Sequence, residues 1–222
     1  MTKQKYLEIE REIDNKTIMC LVETQEKYEK ITERENLEKL VSRRKIKDKK
    51  GGGIMILNRR NNIKIEKLKE HHPDILLTQC QAGNLNFILL VTYISCNPKE
   101  NNEIYEEIDK IINKYEDKPI MIIGDMNAHT TMIVKDKINK NGEKLIEWLN
   151  KYNLILLNND IECNGRYTWE ARNCKSAIDY ALINKEILDL SDHMMMKVKL
   201  NLKDNRKEDT TTQNEKKILY KF

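Results

Sequence analysis

The sequence predicts a layered α/β fold, and three observations support this prediction. Short apolar runs of strand length recur along the chain. Between some of these runs lie segments whose apolar residues repeat with helical spacing. The chain has 222 residues, of which 39% are hydrophobic, so one domain with a buried core can form. Strands and helices mixed in this order are typical of sheets that pack against helices.

The predicted strands are short, and the last of them has the clearest pattern. Met196, Val198 and Leu200 alternate there with polar residues, as a strand with one solvent-exposed face requires. In chain order, the predicted strands occupy residues 17–24, 53–57, 74–79, 86–95, 119–125, 153–158, 177–184 and 194–202.

Helical periodicity predicts two clear helices and a shorter third one. The stretch NEIYEEIDKIINKY at 102–115 places isoleucines and a tyrosine on one face, and GEKLIEWLNKY at 142–152 has the same spacing. The shorter candidate is KYLEIEREI at 5–13. A polar stretch with few large apolar residues ends the sequence. We therefore expect one domain over residues 1–202 and a linker-like tail over 203–222.

Composition indicates a protein of a reducing, intracellular compartment, in the nucleus, the cytoplasm or both. The first residues are polar, unlike a signal peptide, and no apolar run approaches the roughly 18–20 residues that span a bilayer. We therefore expect no membrane partner. The cysteines are odd in number and form no CxxC motif, which indicates buried thiols rather than a disulfide framework or a zinc site. They are Cys20, Cys80, Cys96, Cys163 and Cys174.

The net charge of +4 is too small to establish a nucleic-acid partner, but the basic residues are unevenly distributed. Between Ser42 and Gly51, six basic residues stand against one acidic residue. Arg43, Arg44 and Lys45 begin this run. The run could bind phosphates, or it could be a solvated loop, and the composition leaves both interpretations open.

Polar residues follow several of the predicted strands, where active sites of layered α/β folds often form. Each has an ordinary structural interpretation: an exposed strand end, an Asx turn or helix cap, or a packing tyrosine. An aspartate inside an apolar strand is harder to explain, because burial of its charge is costly without a partner. The residues are Glu23, Tyr93, Asp125, Asn127, Asp179, Asp192 and His193.

Together these residue types suit the hydrolysis of a phosphate ester. Glu23 offers the oxygen ligand that Mg²⁺ prefers. Asp125 could orient or deprotonate a water, and Asn127 could hold that acid or a phosphate oxygen. Asp179 could fix the tautomer of His193, as in other pairs of a base and an orienting acid. A metal, an activated water and hydrogen-bond donors around phosphorus are the parts that such a reaction needs.

The stretches around these residues occur in a specific order: CLVET, GGGIMIL, VTYIS, IIGDMNAH, NGEKLIEWLNKYNLILLN, YTW, SAIDYALI and SDH. In this order they resemble the endonuclease/exonuclease/phosphatase superfamily, and within it the endonuclease domain of LINE-type (non-LTR) retrotransposons. The resemblance covers residues 5 to about 202. The block GDMNAH resembles the family's GDFN block, with methionine in place of phenylalanine.

The resemblance implies a role for each residue of the first half of the site. Glu23 matches the metal-binding glutamate of the family. Tyr93 matches the tyrosine that contacts the scissile phosphate. Asp125 matches the aspartate that activates the attacking water, and Asn127 matches the asparagine beside it.

In the second half of the chain, the resemblance implies a catalytic pair and polar residues near DNA. Asp179 matches the aspartate that pairs with the catalytic histidine, which is His193. Asp192 matches the acid before that histidine, and we place it at the metal. Thr168 and Ser176 match positions where retrotransposon endonucleases carry polar residues near the DNA backbone.

The resemblance also implies a fold, a cofactor and a substrate. The fold would be a four-layer sandwich of two packed mixed β-sheets flanked by helices. The cofactor would be Mg²⁺ or Mn²⁺, and DNA would be the substrate of a monomeric enzyme. The basic run and the pair Arg59 and Arg60 would then contact phosphates. NEKKILYKF at 214–222 resembles the link toward a reverse transcriptase domain, which, with retroelement RNA, would be a partner in the parent element.

The sequence departs from the family pattern at its start. Family members begin with a strand that carries a metal-site asparagine ahead of the first helix, whereas only MTKQ precedes KYLEIEREI here. Asn15 lies after that helix and does not match the family's asparagine. We therefore expect one strand and one metal ligand to be absent, leaving the neighbouring strand as an exposed edge. Marginal stability and weak or absent nicking activity would follow. A milder departure is Met195, which replaces a proline.

Three functions remain open at this point. The first is a metal-dependent DNA endonuclease that makes single-strand nicks. The second is a phosphatase of the same superfamily, because a fold does not determine a substrate. The third is a catalytically inactive, nucleic-acid-binding relic. The retrotransposon-like stretches and the basic run favour DNA. The missing first strand favours the relic, whereas the nearly complete set of site residues favours activity.

Overall fold

Six strands come first in the described part of the chain, and the two described α-helices lie directly before and after the seventh strand. The computed structural model describes residues 11, 13, 17–24, 37–42, 53–59, 63–69, 72–159, 167–171, 174–184 and 197–200. Its strands are β1 (Thr17–Val22), β2 (Leu37–Ser42), β3 (Ile54–Arg59), β4 (Ile63–Lys67), β5 (Ile75–Ala82), β6 (Leu85–Tyr93), β7 (Ile120–Asp125), β8 (Ile155–Leu156), β9 (Trp169–Ala171), β10 (Cys174–Ser176), β11 (Asp179–Ile183) and β12 (Lys197–Leu200). The α-helices are α1 (Asn102–Lys114) and α2 (Lys140–Lys151), and short 3-10 helices occupy Pro98–Glu100 and Leu157–Asn159.

Two mixed sheets make up most of the described fold. The four-stranded sheet has the order β12-β1-β3-β2, and the six-stranded sheet has the order β4-β5-β6-β7-β11-β8. Strands β1 and β12 are parallel, as are β6 and β7, and the other neighbours in both sheets are antiparallel. Strands β9 and β10 form a separate antiparallel pair. The predicted α/β sandwich with mixed sheets is confirmed.

The two sheets pack face to face through a core of aliphatic side chains. Val22 and Ile56 of the four-stranded sheet belong to the same buried cluster as Leu89, Val91 and Ile123 of the six-stranded sheet. Because side chains alternate between the faces of a strand, every second residue of β6 and β7 points toward this inter-sheet core.

Helices α1 and α2 cover the opposite face of the six-stranded sheet. Ile108 of α1 and Trp148 of α2 are buried against strand residues such as Leu90. Each such side chain contributes about 1.5–3 kcal/mol by its burial. Both helices lie where the periodicity predicts them. Among the described residues, neither helix has the length and apolarity needed to cross a lipid bilayer.

The outer face of the four-stranded sheet is also buried. Met19 lies there in a cluster with Ile13, and Arg11 is helical. Most of the helix predicted at 5–13 lies outside the described residues. Arg59, expected at a phosphate, donates from Nε to the carbonyl oxygen of Ile13 over 2.6 Å. This arginine therefore supports internal packing.

The expectation of an exposed edge beside β1 is wrong. Thr17 of β1 pairs with Lys197 of β12 on one side, and Val22 pairs with Ile54 of β3 on the other. Both sides of β1 are occupied because β12 runs parallel to it and supplies the backbone pairing. The edge-based reason for marginal stability therefore fails.

The apolar runs missed several strands. Strand β2 carries adjacent charges and has only half-buried interior positions, so it lacks an apolar run. Strand β4 buries Ile63 and Ile65 and exposes the residues between and after them. With five residues, this alternation is too short to stand out in the sequence. Strands β9 and β10 have three residues each. The strand predicted at 153–158 is shorter than expected, because a 3-10 helix follows β8.

The expectation of buried thiols is only partly correct. Cys20 and Cys80 are buried and unpaired, as predicted, and burial raises the pKa of the Cys80 thiol to about 12. Cys96 and Cys174 are exposed, because they lie in a loop after β6 and in the β9–β10 pair rather than in the core. Cys163 lies outside the described residues.

Candidate active site

Three predicted site residues form one row at an end of the six-stranded sheet. Tyr93 of β6 pairs with Asp125 of the parallel strand β7, and Asp179 of β11 pairs with Asp125 from the other side. Residues two apart in a strand share a face, so Tyr93 and Asp125 point to the side of Val91 and Ile123. That side faces the four-stranded sheet. The pairing register of the strands and the alternation of their side chains therefore place the row at the edge of the core between the two sheets.

Gly124 allows the two central members of this row to lie side by side. It pairs with Thr92, the residue before Tyr93. A β carbon on Gly124 would lie 1.8 Å from the carbonyl oxygen of Thr92. The close approach of β6 and β7 therefore requires glycine directly before Asp125.

Gly124→Ala is expected to destabilise the protein by about 3 kcal/mol or more, the upper end for an overpacked site. The added methyl group meets a backbone carbonyl rather than a side chain that can move. Gly83→Ala is the matched control, since its β carbon meets nothing within 4 Å and its φ of +59° costs alanine about 1–2 kcal/mol. Denaturant unfolding of both variants measures the difference. An equal loss of unfolding free energy in both variants would show that β6 and β7 can move apart to accommodate the added methyl group.

Glu23 reaches the row from the other sheet. It follows β1 with a φ of 51°, a left-handed conformation that is uncommon for glutamate and that clusters at functional sites. The amide of Thr24 donates to the carbonyl of Gly53 over 3.1 Å and fixes this turn. The hydroxyl of Tyr93 donates to the Glu23 carboxylate. This hydrogen bond joins the two sheets at the candidate site.

The row brings acidic side chains close together in a buried place. Asp179 is 2% exposed, and burial raises its pKa well above the ordinary value, with further raising by the charge of Asp125 and a smaller effect of Glu23. A hydrogen bond from Thr168 acts in the opposite direction. Burial, followed by the charges of Glu23 and Asp125, also raises the pKa of Tyr93. A bound cation would relieve this repulsion.

Thr168 and Asn158 hold Asp179 in place. The Thr168 hydroxyl oxygen accepts hydrogen bonds from the amides of Ile178 at 2.9 Å and Asp179 at 3.1 Å, and the hydroxyl donates to the Asp179 carboxylate. The Asn158 side chain donates to the carbonyl of Asp179 at 3.0 Å and accepts from the amide of Ala181 at 2.8 Å. The start of β11 is therefore fixed on both sides.

Thr168 and Ser176, which the resemblance places near the DNA backbone, are both buried in this structure. They are 4% and 6% exposed. The Thr168 hydroxyl already bonds to two amides and a carboxylate, and its own amide donates to the Ser176 carbonyl at 2.9 Å. Their contact with DNA stays a prediction.

Asn127 supports Asp125 through its backbone. Its amide N–H donates to Oδ1 of Asp125 at 2.9 Å, and its side-chain Nδ2 donates to the carbonyl of Ile94 at 2.8 Å. Its φ is 44°, a conformation that asparagine tolerates better than most residues. The side chain thus links the loop after β7 to the loop after β6.

Several predicted site residues lie outside the described part of the chain: Arg43, Arg44, Lys45, Arg60, Asp192 and His193. Their contacts stay predictions. Within the described residues, the buried Oδ2 of Asp179 has no hydrogen-bond partner. A donor at this oxygen is therefore to be expected, and the family's histidine would supply one.

Both ends of the basic segment 43–52 are anchored beside the candidate site. Ser42 ends β2 and pairs with Ile54 at the start of β3, and Ile54 pairs with Val22 at the end of β1. Glu23 follows directly. The chain therefore leaves and re-enters the sheet at the end where Glu23 lies.

Sequence reasoning missed Asn139 as a supporting residue. Its Oδ1 accepts hydrogen bonds from the amides of Gly142 at 2.8 Å and His129 at 3.0 Å, which caps α2. Its Nδ2 donates to the carbonyl of Asn127 at 2.9 Å. An asparagine before an amphipathic helix is a recognisable N-cap signal, but its second contact depends on the fold.

The donor set at the row fits a hard divalent cation. Glu23 and Asp125 offer carboxylate oxygens, the ligands that Mg²⁺ and Mn²⁺ prefer. Within the described residues, no group of three or more His, Cys, Asp or Glu side chains is arranged to hold a metal on its own. Mg²⁺ usually takes one or two carboxylates and keeps several waters, so Glu23 with one further acid would suffice.

A family model described as endonuclease-reverse transcriptase matches residues 87–215, more than half of the chain. The chain belongs to this family. The predicted membership in the endonuclease/exonuclease/phosphatase superfamily, as a LINE-type endonuclease, is confirmed. The matched range includes Tyr93, Asp125, Asp179 and His193, whereas Glu23 precedes it. The match also extends past residue 202, where the sequence predicts the end of the domain.

Solved structures of the same fold cover most of the chain. The endonuclease domain of TRAS1, a telomere-specific non-LTR retrotransposon, is 15% identical with a TM-score of 0.60, and the match covers 82% of this chain and 90% of that chain. AP endonuclease LMAP from Leishmania major is 8% identical with a TM-score of 0.58, and the match covers 83% of this chain and 73% of that chain. An endonuclease/exonuclease/phosphatase family protein from Leptotrichia buccalis is 12% identical with a TM-score of 0.53, and the match covers 89% of this chain and 87% of that chain. At these identities the likeness establishes the fold. Among curated proteins no significant match is found.

Proposed function

We propose that this protein is a Mg²⁺- or Mn²⁺-dependent endonuclease that nicks DNA. The observation that carries the proposal is the row of Tyr93, Asp125 and Asp179, which faces Glu23 across the two sheets. The row lies in a chain of the endonuclease-reverse transcriptase family. These residues provide the acids and the donor that phosphodiester hydrolysis requires.

Asp125 is the residue to which we assign the attacking water. Its Oδ1 accepts the amide N–H of Asn127, which fixes the carboxylate plane. Tyr93 contacts the scissile phosphate. A tyrosine hydroxyl is protonated at physiological pH, and the raised pKa of Tyr93 acts in the same direction. The half-buried Tyr93 therefore provides a donor beside the water that Asp125 orients.

Asp179 orients His193. The buried Asp179 carboxylate is fixed by Thr168 and offers Oδ2 to a donor. An imidazole bonded to this oxygen through one nitrogen presents the other nitrogen to the substrate. Glu23 and Asp192 would hold the metal, which supplies charge neutralisation at the phosphate and lowers the pKa of water.

DNA is the substrate that the charge distribution favours. The basic segment with Arg43, Arg44 and Lys45 follows Ser42, which lies at the same end of the four-stranded sheet as Val22, the residue before Glu23. Contacts of this kind supply most of the sequence-independent affinity for DNA and weaken as salt rises. A monomer, with a reverse transcriptase domain or retroelement RNA as partners in the parent element, and a nuclear or cytoplasmic location remain part of the proposal.

The experiment that tests the proposal compares two substrates under one condition. The full chain with Mg²⁺ is incubated with supercoiled plasmid and, separately, with a soluble phosphomonoester. We expect conversion of the plasmid to nicked circles and no release of inorganic phosphate. Phosphate release without nicking would favour a phosphatase of the same superfamily. DNA binding without either reaction would favour the inactive relic.

Glu23→Gln is expected to raise the Mg²⁺ concentration for half-maximal nicking by about tenfold or more. The amide keeps the size of the side chain and can still accept from Tyr93, but it loses the charge that attracts the cation. Titration of Mg²⁺ at fixed plasmid concentration measures the effect. Glu66→Gln, an exposed change on β4, is the matched control. An equal metal requirement in both variants would remove Glu23 from the metal site.

A further inference from the structure

Asn141, in the first turn of α2, is buried at the meeting point of two loops. It is 4% exposed. Its Nδ2 lies within hydrogen-bond distance of three carbonyl oxygens: Ser95 at 3.0 Å, Met126 at 2.9 Å and Asn127 at 3.2 Å. Ser95 follows Tyr93 by two residues, and Met126 and Asn127 follow Asp125 directly. One amide group thus holds the chain just past two members of the row.

The other end of the same side chain is also occupied. Oδ1 of Asn141 accepts from Nδ2 of Asn101 at 3.1 Å and from the hydroxyl of Tyr105. Asn101 also donates to the carbonyl of Ser95 at 2.8 Å. Asn101 precedes α1 and Tyr105 lies within it, so Asn141 connects both helices to the loops after β6 and β7.

The partners define the orientation of the amide. Carbonyl oxygens only accept hydrogen bonds, so the nitrogen must face Ser95, Met126 and Asn127. A carboxylate or an aliphatic side chain cannot donate to these carbonyls. Buried carbonyls that lose their donor leave an unsatisfied polar group, which is costly. Among the described contacts, the Met126 carbonyl therefore depends on an amide at position 141, whereas the Ser95 and Asn127 carbonyls each have a second donor, Asn101 and Asn139.

Residues next to Asn141 also pack closely between the start of α2 and the loop after β7. A β carbon on Gly142 would lie 2.0 Å from the carbonyl oxygen of His129, so the start of α2 rests directly on the loop after β7. Asn139 donates to the carbonyl of Asn127, which Asn141 also reaches. The left-handed φ of Asn127, 44°, is thus held by two side chains from α2 and its N-cap.

We propose that Asn141 is a positioning residue for phosphodiester cleavage, which sets the loop after β7 against the loop after β6. This inference rests on the proposed function. Asp125 and Tyr93 must act on one phosphate, so a shift between their loops misplaces the water relative to the donor. Misplacement of about 1 Å can cost a factor of 10² in rate. The role is exerted through Asp125, Asn127 and Tyr93 rather than on the substrate.

The test uses variants that separate the two ends of the Asn141 amide. Asn141→Asp keeps the size and the acceptor for Asn101 and Tyr105 but replaces the donor with an oxygen. Asn141→Ala removes both ends without adding charge. Tyr105→Phe removes one donor on the acceptor side only. Asn150→Asp, an exposed position in α2, is the matched control for the change from amide to acid.

The first readout is the division of the effect between kcat and KM in plasmid nicking with Mg²⁺. We expect Asn141→Asp and Asn141→Ala to lower kcat by about 10- to 100-fold, with KM within about twofold of wild type, because the basic segment is untouched. Tyr105→Phe and Asn150→Asp should retain kcat within about twofold, even where Tyr105→Phe lowers the melting temperature. A loss of kcat that follows the melting temperature across all variants would overturn the proposal.

The second readout does not depend on activity. Amide hydrogen exchange at residues 94–97 and 126–128 should be faster in both Asn141 variants than in Asn150→Asp. Exchange equal to that of the control would overturn the proposal, as would failure of both Asn141 variants to fold. If the wild-type chain does not nick DNA, the proposed function fails, and the exchange rates still decide whether Asn141 holds the two loops.

Discussion

Asp125→Asn is expected to lower the rate of plasmid nicking by about 10² or more, the scale of a lost acid–base group. The substitution keeps the size of the side chain and can still accept the amide N–H of Asn127. It removes the charge that orients or deprotonates the attacking water. DNA binding, measured by a gel-shift or anisotropy titration, should remain within a few-fold of wild type because the basic segment is unchanged.

Asp117→Asn provides the control for Asp125→Asn. It makes the same chemical change at an exposed turn after α1. A variant at position 125 that nicks as fast as Asp117→Asn would contradict the assignment of Asp125 to the water. Loss of DNA binding together with activity would instead indicate that Asp125 maintains the fold of the site.

The second large effect concerns Asp179 and His193. Asp179→Asn and His193→Ala should each lower nicking by about 10² or more. The Asp179 carboxylate is buried, is bonded by Thr168, and keeps Oδ2 for a donor. If this donor is His193, the aspartate acts through the imidazole. The double variant should then be little slower than the slower single variant.

The measurement is a double-mutant cycle of nicking rates at one pH and one Mg²⁺ concentration. Thermal melting of all four proteins serves as the control for folding. Fully additive losses would show that Asp179 and His193 act separately. Wild-type rates in Asp179→Asn alone would show that the buried acid has no part in cleavage.

The sequence predicts the helices and most strands because their patterns are local. Residues 102–115 and 142–152 have helical periodicity, and α1 and α2 lie at these places. Strand β2 escapes prediction because Glu38 and Lys39 interrupt its apolar residues. Its pairing with β3 is a tertiary contact that no local pattern contains.

The sequence predicts where the site residues lie, because they stand at the ends of predicted strands. It does not predict the hydrogen bonds that hold these residues in place. Tyr93 and Asp125 each end a strand, and the parallel register of β6 and β7 places them side by side. The hydrogen bonds of Asn141 to Ser95 and Asn127 cross 46 and 14 residues of chain, so they depend on the complete fold. Thr168 illustrates the same limit, because only the fold shows that its hydroxyl bonds to Asp179.

The central claim is that the row of Tyr93, Asp125 and Asp179, together with Glu23 and a divalent cation, cleaves DNA. Its most direct test follows supercoiled plasmid incubated with the full chain in Mg²⁺, in Mg²⁺ with excess EDTA, and after Mg²⁺ is restored. We predict that nicked circles form in Mg²⁺, that EDTA abolishes them, and that restored Mg²⁺ returns the rate. Equal nicking in EDTA, or no nicking by the folded protein in either Mg²⁺ or Mn²⁺, would contradict the claim.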